Sequence, residues 1–440
     1  MMHKVGFLLG AGASFPFGIP MMRQFYEEFM DYVRTHRVHC LPLAEKLTEG
    51  TAVPDLEYLI QRLEQVRAVR AGLAILGQSA NGIGNDLALA EELRGYLDMF
   101  LIETCEQFND AKVKAKLTRF IRLVHTHDAY VFTTNYDRLV EVAATAIGVP
   151  YSDGFEPASS RPECKWNGEF SRGIRLLKLH GSVNWYEEEE SQTLFRLERG
   201  YSLPSHEYRL THGDRALRPL MIIPTLEKAI LKRPYAGLLT QFSDALKEVS
   251  LFVVIGNSLR DDHLRNTVVE RMRHLNVVLI NPAARDQRGI LDHPEATHAI
   301  PFGMEQFIDL GLERFDRLLN ELGHTDSEAC QVRVAAFAAE LATLADQTSS
   351  MTDEERTRLA SLKNDTIEAK LQVLKLSGPS MHPALVAEVR TLALTPGDDA
   401  IRISAIDALV DARGTKLFAG RAPLQFALRL RSRCRVLTLA

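Results

Sequence analysis

The chain has 440 residues, too many for one ordinary core, and with 46% hydrophobic and 25% charged residues its composition excludes the disordered and fibrous classes. A net charge of −5 argues against sequence-independent nucleic-acid binding by the whole surface, and the five cysteines, Cys40, Cys105, Cys164, Cys330 and Cys434, form no C-x-x-C pair that spells a zinc ribbon or a disulfide framework. No apolar run is long enough to span a bilayer and the run Val5–Leu9 lacks a cleavage site, so a cytoplasmic protein with reduced thiols is expected.

Short apolar runs bounded by turn residues alternate with segments of helical period, the pattern of an α/β fold: a Rossmann-like parallel sheet flanked by helices. The first strand candidate, Val5–Leu9, runs into Gly10-Ala11-Gly12-Ala13-Ser14 and then Gly18-Ile19-Pro20. Small residues at such a turn let backbone N–H groups approach a pyrophosphate, although the same residues also suit a plain tight turn. A helical insertion follows over about residues 21–128. It includes Asp55–Val66 and Leu87–Phe108, separated by the loose stretch Gly77–Asp86, and suggests a lid.

The second strand, Tyr130–Thr133, ends in Thr134-Asn135-Tyr136-Asp137, good helix-capping residues as well as candidate chemistry. The third, Ile174–Leu179, ends in His180-Gly181-Ser182-Val183-Asn184-Trp185. From Glu187 to Gly213 the chain turns polar, and its acidic run Glu187–Glu190 reads as a solvated loop. Three more strands are expected: Leu220–Ile223, then Leu251–Ile255 leading to Gly256-Asn257-Ser258-Leu259, then Val277–Ile280 leading to Asn281. Beyond about Phe315 the strand-like runs stop. Helices are expected at Cys330–Leu344, Asp353–Leu376, His382–Leu394 and Asp399–Ala412, the last two resembling one HEAT-type hairpin around Thr395–Asp398. The tail Gly414–Ala440 carries six basic residues and no acidic one, but no aromatic platform for bases. The expected domains are therefore 1–315, catalytic, and 316–440, all-helical.

Ligands of parallel α/β sheets sit outside the carboxyl ends of the strands, and here five successive strand ends are polar. Their ordered wording, GAGAS with GIP, TTNYD, LHG, GNSL and a strand ending in Asn, resembles the sirtuin family over about residues 3–310. TTNYD, KLHGSVNW and GNSLRDDHL look closest to bacterial sirtuin-like proteins of antiphage defence, in which the domain commonly acts as an NAD⁺ hydrolase. The resemblance implies that Gly10, Ala11, Gly12 and Ser14 line a phosphate loop with Arg23 and Thr134 beside them. It further implies that Asn135 orients water and ribose, that Asp137 holds the nicotinamide amide, that His180 is the base near the ribose hydroxyls, and that Gly256, Ser258 and Asn281 contact phosphates and adenosine ribose. Two positions depart from the pattern: Met22 stands where the family has phenylalanine and Tyr136 where many members have isoleucine. The four-cysteine zinc module of deacylating members has no counterpart, since no cysteine lies between Cys164 and Cys330.

The reaction so implied breaks the nicotinamide–ribose bond of NAD⁺, a substrate here and not a resident cofactor, with no zinc. Three outcomes remain open on the residues alone: hydrolysis to ADP-ribose, zinc-free protein deacylation or ADP-ribosyl transfer in the same pocket, and non-enzymatic NAD or ADP-ribose sensing. The resemblance also implies a homo-oligomer and a defence partner such as a hexameric translocase ATPase or an Argonaute, with the helical domain serving assembly or docking; neither a membrane nor direct nucleic-acid binding is expected.

Overall fold

The computed structural model describes residues 4–50, 55–75, 84–156, 163–197, 205–206, 209–212, 215–221, 233–323, 327–348, 351, 353–362, 382–394 and a few single positions up to 408. Among the described residues thirteen strands are found, in chain order β1 Lys4–Leu9, β2 Tyr130–Thr133, β3 Tyr151–Ser152, β4 Glu163–Lys165, β5 Ile174–Lys178, β6 Gly181–Glu188, β7 Leu194–Leu197, β8 Ser205–His206, β9 Arg209–His212, β10 Arg215–Met221, β11 Val249–Ile255, β12 Asn276–Ile280 and β13 Thr297–Ile300.

Seven of them form one sheet in the order β13-β12-β11-β1-β2-β5-β3, every pair parallel. Such a sheet must be covered on both faces, which is why its strands read as unbroken apolar runs. Alternation within β1 shows the two covers. Leu8 packs with Phe132, Leu177, Phe252 and Leu279 against Leu238, Phe242 and Leu246 of the helix Tyr235–Glu248, while Phe7 meets Phe120 of the helix Thr118–Thr126 edge to face, centroids 5.0 Å apart.

The remaining six strands build a second, antiparallel sheet in the order β4-β7-β6-β10-β9-β8. This corrects two expectations. The acidic run Glu187–Glu190 is not all loop: Glu187 and Glu188 end β6, Glu189 begins a tight turn, and β7 follows. Leu220 and Met221 end β10 and so belong to this sheet and not to the parallel one, while 222 and 223 lie outside the described residues. Its small core, Tyr186, Phe195, Leu197, Leu210 and Leu217, is completed by Met99 and Ile102 of the insertion helix Gly84–Glu106. The insertion therefore packs on a sheet and is more than a lid.

Contacts divide the chain into two compact units, Met1–Ile308 with Leu319–Val334, and Asp309–Leu318 with Ala335–Ala440. The second unit is helical where described, including Asp353–Leu362 and Pro383–Leu394, with Phe315 against Phe337 at 5.4 Å. The turn Thr395–Asp398, most of Asp399–Ala412, the basic tail from Gly414 and residues 77–83 lie outside the described residues, whereas Gly84–Asp86 already belong to a helix. Among the described residues, Cys40, Cys105, Cys164 and Cys330 are buried and form no disulfide. No described helix is long and apolar enough to cross a membrane.

Candidate active site

Because β12, β11, β1, β2 and β5 are neighbours and parallel, the turns after them emerge along one edge of the sheet. The loop after β1 and the loop after β11 cross there at backbone distance. A Cβ on Gly10 would lie 2.6 Å from the Asn257 Cα, and one on Gly12 2.9 Å from the Gly256 Cα, so the glycines are required by the crossing itself. Backbone bonds fix it: Gly10 N–H donates to Ile255 O at 2.9 Å, Gly12 N–H to Gly256 O at 3.0 Å, and Gly256 N–H to Ile280 O at 2.9 Å. The amides of Gly10 and Gly12 are thus committed within the protein, and the phosphate-loop expectation rests on Ala11 and Ser14.

Ser14, Asn135 and Asp137 form one chain of hydrogen bonds. Asn135 Nδ2 donates to Gly10 O at 2.8 Å and to Ser14 Oγ at 2.7 Å, and Ser14 Oγ donates to Asp137 Oδ2 at 2.6 Å. Both amide hydrogens of Asn135 are used, which leaves Oδ1 as its acceptor for water. Asp137 Oδ1 accepts from Leu139 N–H at 3.0 Å. Burial raises the Asp137 carboxyl above its ordinary value, against the opposing pull of Lys178, the Ser14 hydroxyl and the Leu139 amide. A cavity of about 10 Å³, lined by Ser14, Asn135, Asp137, Glu141, Leu117 and Met304, lies at this network. It has room for one water at most.

Beneath the network is a buried ion pair. Lys178 Nζ, 0% exposed, donates to Glu141 Oε1 at 2.8 Å and to the backbone carbonyl of Asp137 at 2.5 Å. The start of β6 grips the same turn, with Val183 N–H at 3.0 Å and Ser182 Oγ at 3.2 Å both donating to Tyr136 O. Gly181 makes the sharp exit from β5 possible: its φ is +86°, and a Cβ there would sit 1.9 Å from Leu220 O. TTNYD and LHG are thereby held to each other by backbone and side chain alike.

His180 is buried, with Nε2 3.0 Å from Asp261 Oδ2. Asp261 is also the N-cap of the helix Asp262–Val269. Burial works to raise the Asp261 carboxyl, but the bond and charge of His180 and the helix N–H groups bring it below its ordinary value. A second carboxyl comes from the insertion: Glu57, half-buried in the first turn of the helix Leu56–Ile75, feels the charges of His180, Arg260 and Asp261, while burial first and Asp55 second push it up. Neither acid was singled out from the sequence. Asp261 stood within the GNSLRDDHL wording with nothing to link it to His180, and Glu57 lies in an insertion with no sequence link to the sheet.

The other expected residues are placed unevenly. Thr134 Oγ1 accepts from Asn257 Nδ2 at 3.0 Å and so ties the loops after β2 and β11, and Ser258 is half-buried on the latter. Asn281 is engaged locally, accepting from Ala283 N–H at 2.7 Å and donating to Gln287 Oε1 at 2.5 Å. Arg23 is not drawn into the cluster; its side chain is 69% exposed and paired with Glu27 on its own helix. A larger cavity, about 520 Å³, opens beside the antiparallel sheet between Trp166, Glu187, Leu194 and Arg218, and no strand-end residue of the parallel sheet lines it. Among the described residues one group has metal-ligating atoms together, His39, Cys40 and Glu92 within 4.8 Å, on the insertion. Burial pushes the Cys40 thiol up to about 11.

No curated protein matches the chain. Among solved structures it is similar to Sir2 bound to an acetylated peptide, at 16% identity over 73% of this chain and 94% of that one with a TM-score of 0.33. It is also similar to a structure of Sir2 enzymes addressing their mechanism and regulation, at 14% identity over 73% and 94% with a TM-score of 0.37. Residues 129–284 match the family model described as a SIR2-like domain, a span that takes in the ends of β2, β5, β11 and β12 with TTNYD, LHG, GNSL and Asn281. By that match residues 129–284 are SIR2-like.

Proposed function

We propose that the chain hydrolyses NAD⁺ at its nicotinamide–ribose bond. The observation that carries the reading is that the Ser14–Asn135–Asp137 chain and the His180–Asp261 pair both lie along one edge of the parallel sheet. The SIR2-like match over residues 129–284 supports NAD-dependent chemistry.

In the proposed reaction the C1′–nitrogen bond breaks and its electron pair leaves with neutral nicotinamide, so positive charge grows on the ribose. Water adds at C1′ and gives up one proton, and the products are ADP-ribose, nicotinamide and H⁺. The protein's part is to orient and to take the proton. Asn135 Oδ1 accepts from the water, Asp137 receives the carboxamide of the leaving ring where Ser14 now sits, and His180 takes the proton directly or through a ribose hydroxyl. The proposed setting, depletion of NAD⁺ during phage infection, rests on the wording of the motifs.

The test is to incubate purified full-length protein with NAD⁺, with and without an acetyl-lysine peptide. Free ADP-ribose without peptide is expected. Acetyl-ADP-ribose formed only with peptide assigns a deacylase, and no turnover with measurable NAD⁺ binding assigns a sensor; either result overturns hydrolysis.

A further inference from the structure

We infer that Asp261 is a positioning residue that fixes the tautomer of His180, holding the ring proton on Nε2 so that Nδ1 is the nitrogen able to take a proton in the reaction. The inference rests on the reading of His180 as the base. Asp261 Oδ2 lies 3.0 Å from His180 Nε2, while its Oδ1 accepts from His263 N–H at 2.9 Å and Leu264 N–H at 3.2 Å. Two helix N–H groups and the positive end of the helix favour the ionised carboxylate, and an ionised carboxylate can only accept. Nε2 must then donate. A histidine that donates from Nε2 and is neutral keeps its lone pair on Nδ1. Glu57, from the helix Leu56–Ile75, is within charge range of both members of the pair and of Arg260, the residue before Asp261.

The double duty of Asp261 makes the inference sharp. A carboxamide has one acceptor oxygen and one donor nitrogen. In Asp261→Asn the helix amides of His263 and Leu264 claim the oxygen, since asparagine is itself a good N-cap. The NH₂ group is then turned toward His180 Nε2, where it rewards a lone pair and moves the proton to Nδ1. The alternative orientation faces two helix N–H groups with a donor. The cap thus decides which way the amide lies, and the substitution reverses the tautomer without costing the helix its cap.

The full-length protein, labelled with ¹⁵N in histidine and without ligand, reports the tautomer directly; the His180 signals are those lost in His180→Asn. Wild type is expected to show a protonated Nε2 and a bare Nδ1, and Asp261→Asn the reverse. Nicotinamide release by Asp261→Asn is expected to fall about 100-fold or more with unchanged thermal unfolding, in keeping with the loss of roughly four orders of magnitude when the same exchange traps the wrong tautomer in a Ser-His-Asp triad. A wild-type signal from protonated Nδ1 overturns the inference whether or not the variant folds. So does an unchanged tautomer in Asp261→Asn, or a reversed tautomer with undiminished turnover. Wild type that fails to release nicotinamide sinks the hydrolase reading instead, and the tautomer remains readable.

Discussion

The two ends of the same parallel strands carry polar clusters of similar make-up and opposite character. At the amino ends, Lys4 Nζ of β1 pairs with Glu248 Oε2 at 2.5 Å, the Tyr130 hydroxyl of β2 donates to the same oxygen at 3.1 Å, and the Arg175 guanidinium of β5 lies 3.9 Å from the Tyr130 ring centroid. At the carboxyl ends, Ser14, Asn135, Asp137, His180 and Asp261 are hydrogen-bonded in partial or full burial. Charge, aromatic ring and hydrogen bond occur at both. What separates them is water: Lys4 and Glu248 are 38% and 51% exposed in their side chains, where screening leaves little energy in the pair, whereas the carboxyl-end groups act on one another with little solvent between. A polar strand end is therefore no site by itself; convergence and burial together make one.

The largest expected effect breaks this comparison if it fails. Asn135→Ala and His180→Ala should each reduce NAD⁺ cleavage about 100-fold or more, roughly 3 kcal/mol of barrier, with the fold retained. Glu248→Ala, at the opposite end of the sheet, should leave turnover as it is. Steady-state nicotinamide release from the three variants, each checked by circular dichroism, decides the matter. Equal turnover in the two sets removes the functional distinction between the ends.

Next in size is the buried pair under the site. Lys178→Met leaves Glu141 as an uncompensated buried charge and releases the Asp137 carbonyl, so stability should drop by about 3–5 kcal/mol in urea unfolding. Adding Glu141→Leu should restore most of that loss, because the desolvated charge goes with it. The double variant should nevertheless remain impaired in NAD⁺ cleavage, since the Asp137 carbonyl has lost the Lys178 donor that anchors it. A double variant no more stable than the single one shows that the cost lies in packing and not in the stranded charge.

How much of this was legible depended on which sheet a residue served. β1, β2, β5, β11 and β12 are buried on both faces and announce themselves as apolar runs ending in turn residues, so the Rossmann-like sheet and the residues at its carboxyl edge could be read in order. The antiparallel strands are covered by a modest core and keep Glu187, Glu188, Arg209, Arg215 and Arg218 along their length. Such strands look like polar loop, and the run Glu187–Glu190 was read as one. Asp261 escaped for a different reason. A capping aspartate is common, and only the fold brings its second oxygen to His180, 81 positions earlier in the chain. Arg23, carried over from the family pattern, shows the converse: a matching letter whose side chain turns to solvent and pairs with Glu27.

The smallest expected effect concerns the amino-end pair and sharpens the comparison from its weak side. The hydrogen bond from Lys4 holds the Glu248 carboxyl below its ordinary value, and the same bond holds the Lys4 ammonium above its own. For Glu248 the stabilisation is present above the unfolded carboxylate pKa of about 4.3 and is lost as pH falls through the lowered folded value. For Lys4 it is complete below the unfolded pKa of about 10.4 and is lost as pH rises through the raised folded value. Between those limits the pair is fully formed, but both partners are more than a third exposed, so its worth is at most about 0.5 kcal/mol and shrinks with salt. Lys4→Met should accordingly lower stability at pH 7 by no more than that amount, with the difference from wild type fading at pH 3 and in 1 M salt, and with NAD⁺ cleavage untouched. Urea unfolding at pH 3 and pH 7 measures it. A loss of about 2 kcal/mol or more at pH 7, insensitive to salt, requires that water be excluded at the amino ends as well, and the contrast between the two ends of the sheet then fails.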